Sequence, residues 1–423
     1  MSDWSPSYVR AAYLIETPHD PMHAAEVMAG EQSTGTFVAV PGETAELKAR
    51  SAARIVSVKE LDVVAAPTLP GVKPPRGHNG RYTRCEVVLD FPYANFGPSI
   101  PNLLAAVAGN LYELQQFSGL RLLDLELPPE YAAAYAGPKF GVEGTRKLMN
   151  VYGRPMIGTI IKPSVGLSIE ELGGIVRQLA EAGLDFIKDD ELNASPLFAP
   201  FDRKVKSVME QIERAADKTG RKTMYAFNIT GDIDELRRNH DLVLEAGGTC
   251  VMVSIQSIGL AGLAYLNRYS QLPIHGHRNQ WGMMTRCPLL GMEFTAYQKL
   301  CRLAGADHLH VNAFDSKFYE SNESVLRSIK AIRKPLFGSY EAMPVLSSGQ
   351  SAVTADATYR LIGTCDILNV AGGGIMAHPD GPAGGVLSMK QAWEAAQSRI
   401  PAEQYAKTHP ELKRALDTFG INK

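Results

Sequence analysis

Cysteine is scarce in this chain and scattered. Cys85, Cys250, Cys287, Cys301 and Cys365 show no CxxC spacing, which argues against a redox or metal motif and against a disulfide framework. Cys250 and Cys365 stand in apolar, strand-like runs, so buried free thiols in a reducing cytoplasm are expected. Long hydrophobic runs are also missing. No stretch of about 18 apolar residues occurs, so nothing is expected to span a bilayer. Met1-Ser-Asp-Trp-Ser-Pro6 lacks a basic segment followed by an apolar one, and a signal peptide is not expected. Charge of one sign is lacking too: 43 Lys and Arg balance 45 Asp and Glu. That leaves no electrostatic footprint for nucleic acid or an anionic membrane. An anionic ligand must be held by a local constellation.

What is present is a dense charge cluster. The apolar run Gly183-Leu-Asp-Phe-Ile187 ends in Lys188-Asp-Asp-Glu191. Three carboxylates crowd one lysine, and buried like charges are costly unless neutralised. The lysine cancels one of them. A hard cation such as Mg²⁺ could take the rest, since it prefers oxygen ligands. A solvated cluster at a strand end is the plainer reading of these four residues alone.

A chain of 423 residues is too long for one ordinary core, so two domains are expected. Residues 1–140 mix strands and helices. Arg81–Asp90 reads as a half-buried strand, Asn102–Gln116 has helical periodicity, and the Pro- and Gly-rich stretch Ala65–Gly80 reads as a loop. From about residue 150 a phrase recurs in which a helix ends in glycine and feeds a short apolar strand: Glu181-Ala-Gly, Glu245-Ala-Gly, Leu303-Ala-Gly, Leu361-Ile-Gly. Eight candidate strands end near Lys162, Lys188, Asn228, Ser254, His277, His310, Ser347 and Ala371. Alternating strands and helices on this scale match a (β/α)₈ barrel over residues 141–400, with a doubly wound sheet as the alternative. Residues 401–423 read as a helical tail. Polar residues fall at or just after most of these strand ends, which a barrel gathers at one mouth.

These strings resemble the ribulose bisphosphate carboxylase large-chain superfamily (RuBisCO). The carriers are Gly183–Glu191, Gly158-Thr-Ile-Ile-Lys-Pro163 with Gly166-Leu-Ser168, Gly276-His-Arg278, Asp307-His-Leu-His310, Ser347-Ser-Gly349, and Gly372-Gly-Gly374 with His378-Pro379. Glu31-Gln-Ser-Thr-Gly-Thr36 and Gly109-Asn110 add to them in the N-terminal part. The resemblance implies an α/β protein in which an N-terminal α+β, ferredoxin-like domain precedes a (β/α)₈ catalytic barrel. It implies that Lys188 takes up CO₂ as a carbamate and, with Asp190 and Glu191, holds Mg²⁺. Asp189 would face away or support the ligands. Lys162 would be the acid/base lysine and His277 an active-site histidine near the substrate hydroxyls. Arg278, His310 and Ser347 would form one phosphate pocket, and Gly349, Gly372 and Gly373 the other. Glu31, Thr36 and Asn110 would come from the domain that caps a neighbouring subunit's barrel, making a homodimer the minimal unit. His275 reads as a packed strand histidine.

The chain departs from carboxylases in four places. Ser164 replaces a second lysine after Lys162, which puts efficient CO₂ fixation in doubt. Phe37 replaces a tryptophan and Trp281 a histidine. The loop Val311–Lys317 lacks the usual Gly-Thr, although Lys317 keeps its spacing from His310. These departures resemble the RuBisCO-like, form IV-like proteins, which retain the enolising half of the chemistry. Within that group a cation at Lys317 suits a reaction whose substrate carries a carboxylate that is lost as CO₂. The favoured expectation is therefore decarboxylation of a β-keto sugar-acid phosphate of the 3-oxo-isoapionate 4-phosphate type. Transcarboxylation with hydrolysis of the same substrate, an enolase or isomerase of methylthio sugar phosphates, a carboxylase, and a non-catalytic scaffold stand as alternatives.

Overall fold

The computed structural model describes residues 5–35, 38 and 40–420. The chain forms two compact units, one of Met1–Tyr135 with Gln280–Leu300, the other of Ala136–Asn279 with Cys301–Lys423. No helix of the described residues is long and apolar enough to cross a membrane, and the five cysteines are unbridged.

In the first unit, strands Tyr8–Thr17, Arg54–Val64, Tyr82–Pro92 and Gly119–Glu126 alternate with helices Pro21–Glu31 and Ile100–Ala108 in β-α-β-β-α-β order, with a short helix at Ala45–Ser51. The fourth strand lies beside the first, the first beside the third, and the third beside the second. This is the ferredoxin-like arrangement. Leu290–Met292 extends the sheet parallel to the fourth strand. The first strand buries Val9, Ala11, Tyr13 and Ile15 on one face, the period-two pattern of a sheet with a helix-covered side. The helix at Ile100 is capped by the Ser99 hydroxyl and stops at Ala108. It is shorter than the periodicity over 102–116 suggests, because Gly109 interrupts it and Asn110–Glu113 tightens into a 3₁₀ turn.

In the second unit, Met156–Ile160, Phe186–Lys188, Met224–Asn228, Cys250–Ser254, Ile274–His277, His308–His310, Met343–Leu346 and Leu368–Val370 close into a parallel barrel. They are called the first to eighth barrel strands below. The connecting helices start and stop on local signals. Ser168 and Glu171 form a reciprocal capping box at the start of Ile169–Glu181. Gly363 ends Ala355–Ile362 in the left-handed region, at φ 63°, which is the reason glycine closes that repeated phrase.

Met156, Phe186, Met224, Ala226, Cys250, Met252, Met343, Val345, Leu368 and Val370 pack together as the barrel core. Below the mouth, the carboxylate of Asp307 ties the fold together. It accepts backbone N–H bonds from Phe140 (2.6 Å), Gly141 (2.9 Å) and Ile274 (2.8 Å). Burial pushes its carboxyl up to about 6, against the pull of those same bonds. Asp307→Ala leaves three N–H groups without their acceptor and is expected to lower the unfolding free energy by about 3 kcal/mol. Urea unfolding checks this, and a loss under about 1 kcal/mol would contradict it.

Candidate active site

Side chains of a strand alternate between faces, so residues two apart share the barrel interior. Most inward series here begin apolar and end polar. Ile160 leads to Lys162, Phe186 to Lys188 and Asp190, Ala226 to Asn228, Met252 to Ser254, and Val345 to Ser347; Val370 leads to the glycine turn at Gly372. The fifth and sixth strands carry histidine in both layers, His275 with His277 and His308 with His310. The apolar layer is the core described above, and the polar layer above it is the site.

Lys162, Lys188, Asp190, Glu191 and His277 come together there. The Lys162 ammonium donates to Asp190 Oδ2 at 2.7 Å and to the Ser164 hydroxyl at 2.8 Å. Burial works against ionisation of Asp190, but hydrogen bonds from Lys162, the Leu192 backbone and Ser164 hold its carboxyl below the usual range. Lys188 is 1% exposed. Its ammonium donates to the Asp189 carbonyl at 2.7 Å and lies 3.5 Å from Glu191 Oε2. Burial drives Lys188 toward the neutral amine, against the pull of Glu191, Asp190 and Asp189. His277 Nε2 lies 3.6 Å from Glu191 Oε2. Burial and the Lys188 charge push the His277 imidazole down to about 4, so it is neutral near pH 7.

Asp189 points the other way, as alternation requires. Its carboxylate accepts from the Tyr225 hydroxyl (2.6 Å), the Lys204 ammonium (3.0 Å) and the Asn228 backbone (2.9 Å). Lys204 is fully buried and also donates to the Asn193 and Ala194 carbonyls. Asn228 donates to the Asp190 and Glu191 carbonyls, bracing the ligand-bearing turn.

At another part of the mouth, Arg278 is buried and paired with Glu320, whose Oε2 also accepts from Asn312 Nδ2 at 2.6 Å. His310 Nδ1 lies 3.0 Å from the Ser347 hydroxyl. Gly349 has φ 66°, and a Cβ at Gly372 would stand 3.9 Å from Lys162 Cε. Gly373 faces open space. Lys317 is exposed, with its ammonium over the Phe318 ring at 5.4 Å. Glu31 and Asn110 are exposed on the first unit, and Thr36 lies outside the described residues, as does Phe37. Trp281 is buried in the first unit, stacked on Tyr297.

Sequence reasoning missed Lys204, Tyr225, Asn228, Asn312 and Glu320. Asn228 carried a signal, since it ends a strand. The others lie on helices, in loops or within strands, and nothing local marks them.

Among the described residues, no group of three or more His, Cys, Asp and Glu is arranged to hold a metal. Asp190 and Glu191 supply two carboxylates. A third oxygen donor in the right place requires Lys188 to become a carbamate, and an amine shifted toward neutrality by burial is the form that adds CO₂. The donor set therefore fits a carbamate-held Mg²⁺.

Residues 9–131 match the N-terminal domain of the ribulose bisphosphate carboxylase large chain, and residues 141–419 match its catalytic domain. The chain is 53% identical, over 96% of its length and 98% of the relative's, to 3-oxo-isoapionate-4-phosphate transcarboxylase/hydrolase of Xanthobacter autotrophicus. It is 44% identical, over 98% and 99%, to 3-oxo-isoapionate-4-phosphate decarboxylase of Rhizobium rhizogenes. The crystal structure of a rubisco-like protein from Burkholderia fungorum superposes with a TM-score of 0.91 at 47% identity, covering 97% of this chain and 99% of that one.

Breaking the Asp189 support isolates a buried carboxylate. Lys204→Met is expected to destabilise the protein by about 3–5 kcal/mol, because the Asp189 charge stays behind unpaired. Thermal and urea unfolding read the loss. A variant as stable as the parent would show that Asp189 is not held by this pair.

Proposed function

Because the chain belongs to the ribulose bisphosphate carboxylase large-chain family, as one of its RuBisCO-like members, we propose that it cleaves 3-oxo-isoapionate 4-phosphate, a β-keto acid, to CO₂ and an enediolate that is then protonated to a four-carbon ketose phosphate. The observation that carries this reading is the joined cluster of Lys162, Lys188, Asp190, Glu191 and His277, combined with similarity to relatives named for that substrate.

The family generally uses Mg²⁺ and a carbamylated lysine. In this chain Lys188, Asp190 and Glu191 would hold the ion, which when bound supplies positive charge to the substrate's oxygens. The remaining work belongs to side chains. Lys162, steadied by Asp190 and Ser164, delivers a proton to the enediolate carbon. Neutral His277 positions a substrate hydroxyl. Lys317 reaches the departing carboxylate when its loop folds over the mouth. Glu31, Thr36 and Asn110 of a neighbouring subunit complete the site in a homodimer. Five unbridged cysteines suit a reducing cytoplasm.

A second ending is favoured by one comparison. The transcarboxylase/hydrolase relative is more similar to the chain than the decarboxylase, at 53% against 44% identity. In that ending the carboxyl group is moved rather than released, and water cleaves the product to phosphoglycerate and glycolate. Ser164 favours the decarboxylase, since carboxylases carry a lysine there for late proton transfers.

Phosphorus and carbon NMR with Mg²⁺, bicarbonate and 3-oxo-isoapionate 4-phosphate tests both. CO₂ with a ketose phosphate is the expected outcome; phosphoglycerate with glycolate means the second ending, and untouched substrate sinks the proposal. Lys317→Ala is expected to lower turnover at least 100-fold while preserving the fold. Full activity in that variant would remove Lys317 from the mechanism.

A further inference from the structure

Lys317 is exposed on the loop that follows the sixth barrel strand. A long side chain on a loop has many conformations to lose before it can serve a reaction. Its loop must therefore be held from the base, and four side chains build that base.

Asn312 stands two residues after the sixth strand, and Glu320 two residues before the helix Asn322–Arg333. The Asn312 amide donates to Glu320 Oε2 at 2.6 Å, which joins the two ends of the loop directly. Asn312 takes up this position in the left-handed region, at φ 63°, a conformation that asparagine visits more readily than most residues. Its carbonyl accepts from the Ser347 backbone at 3.3 Å, which fixes the joint to the end of the seventh strand. Glu320 Oε1 accepts from the Ser324 hydroxyl at 2.8 Å, which fixes it to the first turn of the helix. Glu320 Oε2 is also paired with Arg278, just past the fifth strand.

One carboxylate thus gathers both ends of the loop, the helix start and the end of the fifth strand. The Arg278 and Glu320 side chains are 5% and 7% exposed. Burial works against the Arg278 charge, and Glu320 supports it. Separating two charges buried to this degree leaves each without its counter-ion, which is costly. The joint therefore stays shut.

The tip of the loop is held differently. Lys317, Phe318 and Tyr319 are exposed. The backbone at Ser316 and Lys317 rests on Gly349, where a Cβ would stand 3.8 Å from Ser316 Cα and 3.7 Å from Lys317 N. The tip leans on the turn after the seventh strand, while the base is locked by charge and hydrogen bonds. A short loop with joined ends explores few positions, and here those positions lie beside the mouth.

From this geometry, and resting on the role given above to Lys317, we infer that Glu320 is a positioning residue. By clasping Asn312, Arg278 and Ser324 together it keeps Lys317 within reach of the substrate's carboxylate. Glu320 itself does not touch the reacting atoms. Without its charge the ends of the loop part, and the lysine spends less time where the reaction needs it.

Two readouts test this. The first needs no substrate. Trypsin cuts after Lys317 in the folded full chain, and mass spectrometry of the fragments times the cut. Glu320→Gln is expected to speed that cut at least fivefold while cuts elsewhere change less than twofold. Asn312→Gly keeps the left-handed backbone and removes only the amide; it is expected to speed the cut at least threefold. It carries both readouts should Glu320→Gln fail to fold. Unchanged cutting at Lys317 overturns the clasp. The second readout is kcat on 3-oxo-isoapionate 4-phosphate with Mg²⁺ and bicarbonate. Glu320→Gln is expected to lower kcat at least tenfold in the wild-type background and less than twofold when Lys317→Ala is already present, because it acts through that lysine. A loss of the same size in both backgrounds shows that Glu320 works by another route and overturns the inference. A protein that leaves this substrate untouched, while its cutting rates move as expected, loses the functional reading and keeps the clasp.

Discussion

The site depends on how the protein accommodates a lysine and three carboxylates at the end of one barrel strand. Lys188, Asp189 and Asp190 are all buried. Removing that many charges from water is tolerable only if each finds a partner. The strand's period of two divides the problem. Asp189 faces outward, where Lys204 neutralises it and Tyr225 donates to it, while Lys188 and Asp190 face the mouth with Lys162, and the turn after the strand brings Glu191 to them beside His277. The outward network is closed and saturated. The inward one is open, and it contains a lysine whose charge burial weakens. Adding CO₂ there would turn a cation into an anion, and the cluster would then need a divalent cation to balance it.

The barrel supplies the rest by the same alternation. The layer under the mouth is apolar on most strands, but the fifth and sixth strands carry His275 and His308 in it. Their rings touch each other and Phe186, so they pack as aromatics while sharing one hydrogen bond between them. A buried polar network of this kind is stable only if every member is satisfied, and Thr145 at one end and Ser347 at the other complete it. Packing and hydrogen-bond direction are thus set by the same residues.

Much of the fold was legible in the sequence because the relevant signals are local. The barrel strand ends expected at Lys188, Asn228, Ser254, His277 and His310 coincide with the observed ends, and those expected at Lys162, Ser347 and Ala371 fall within two residues. A strand's apolar run and the glycine before it are both short-range features. The reach of the second N-terminal helix was overestimated because periodicity persists through Gly109 while the backbone does not. The charge cluster was visible for the same local reason. Its partners were not: Lys204 stands 15 residues from Asp189, and Glu320 stands 42 from Arg278. A lysine on a helix face and a glutamate in a loop read as solvated charges until the fold buries them. His275 packs as its strand position suggests, but only its neighbours on the sixth strand, His308 and His310, give it directed hydrogen bonds.

On the proposed reading, Ser164 is the position that sets this chain's chemistry apart from carboxylation. Its hydroxyl touches both the Lys162 ammonium and, through a further hydrogen bond, the Asp190 carboxylate. A second lysine at that position would bring another positive charge against Lys162, so each ammonium would be harder to keep protonated. With serine, Lys162 keeps a single carboxylate partner and a neutral neighbour, which suits a group that hands one proton to a carbanion and retrieves it from solvent. A site that must also add CO₂ and then water to the same carbon skeleton has more protons to move, and a lone lysine with a serine beside it has fewer groups to move them. The decarboxylating direction asks for one proton transfer after the carbon–carbon bond breaks. On the proposed reading, Lys162 with Asp190 and Ser164 beside it would supply that transfer.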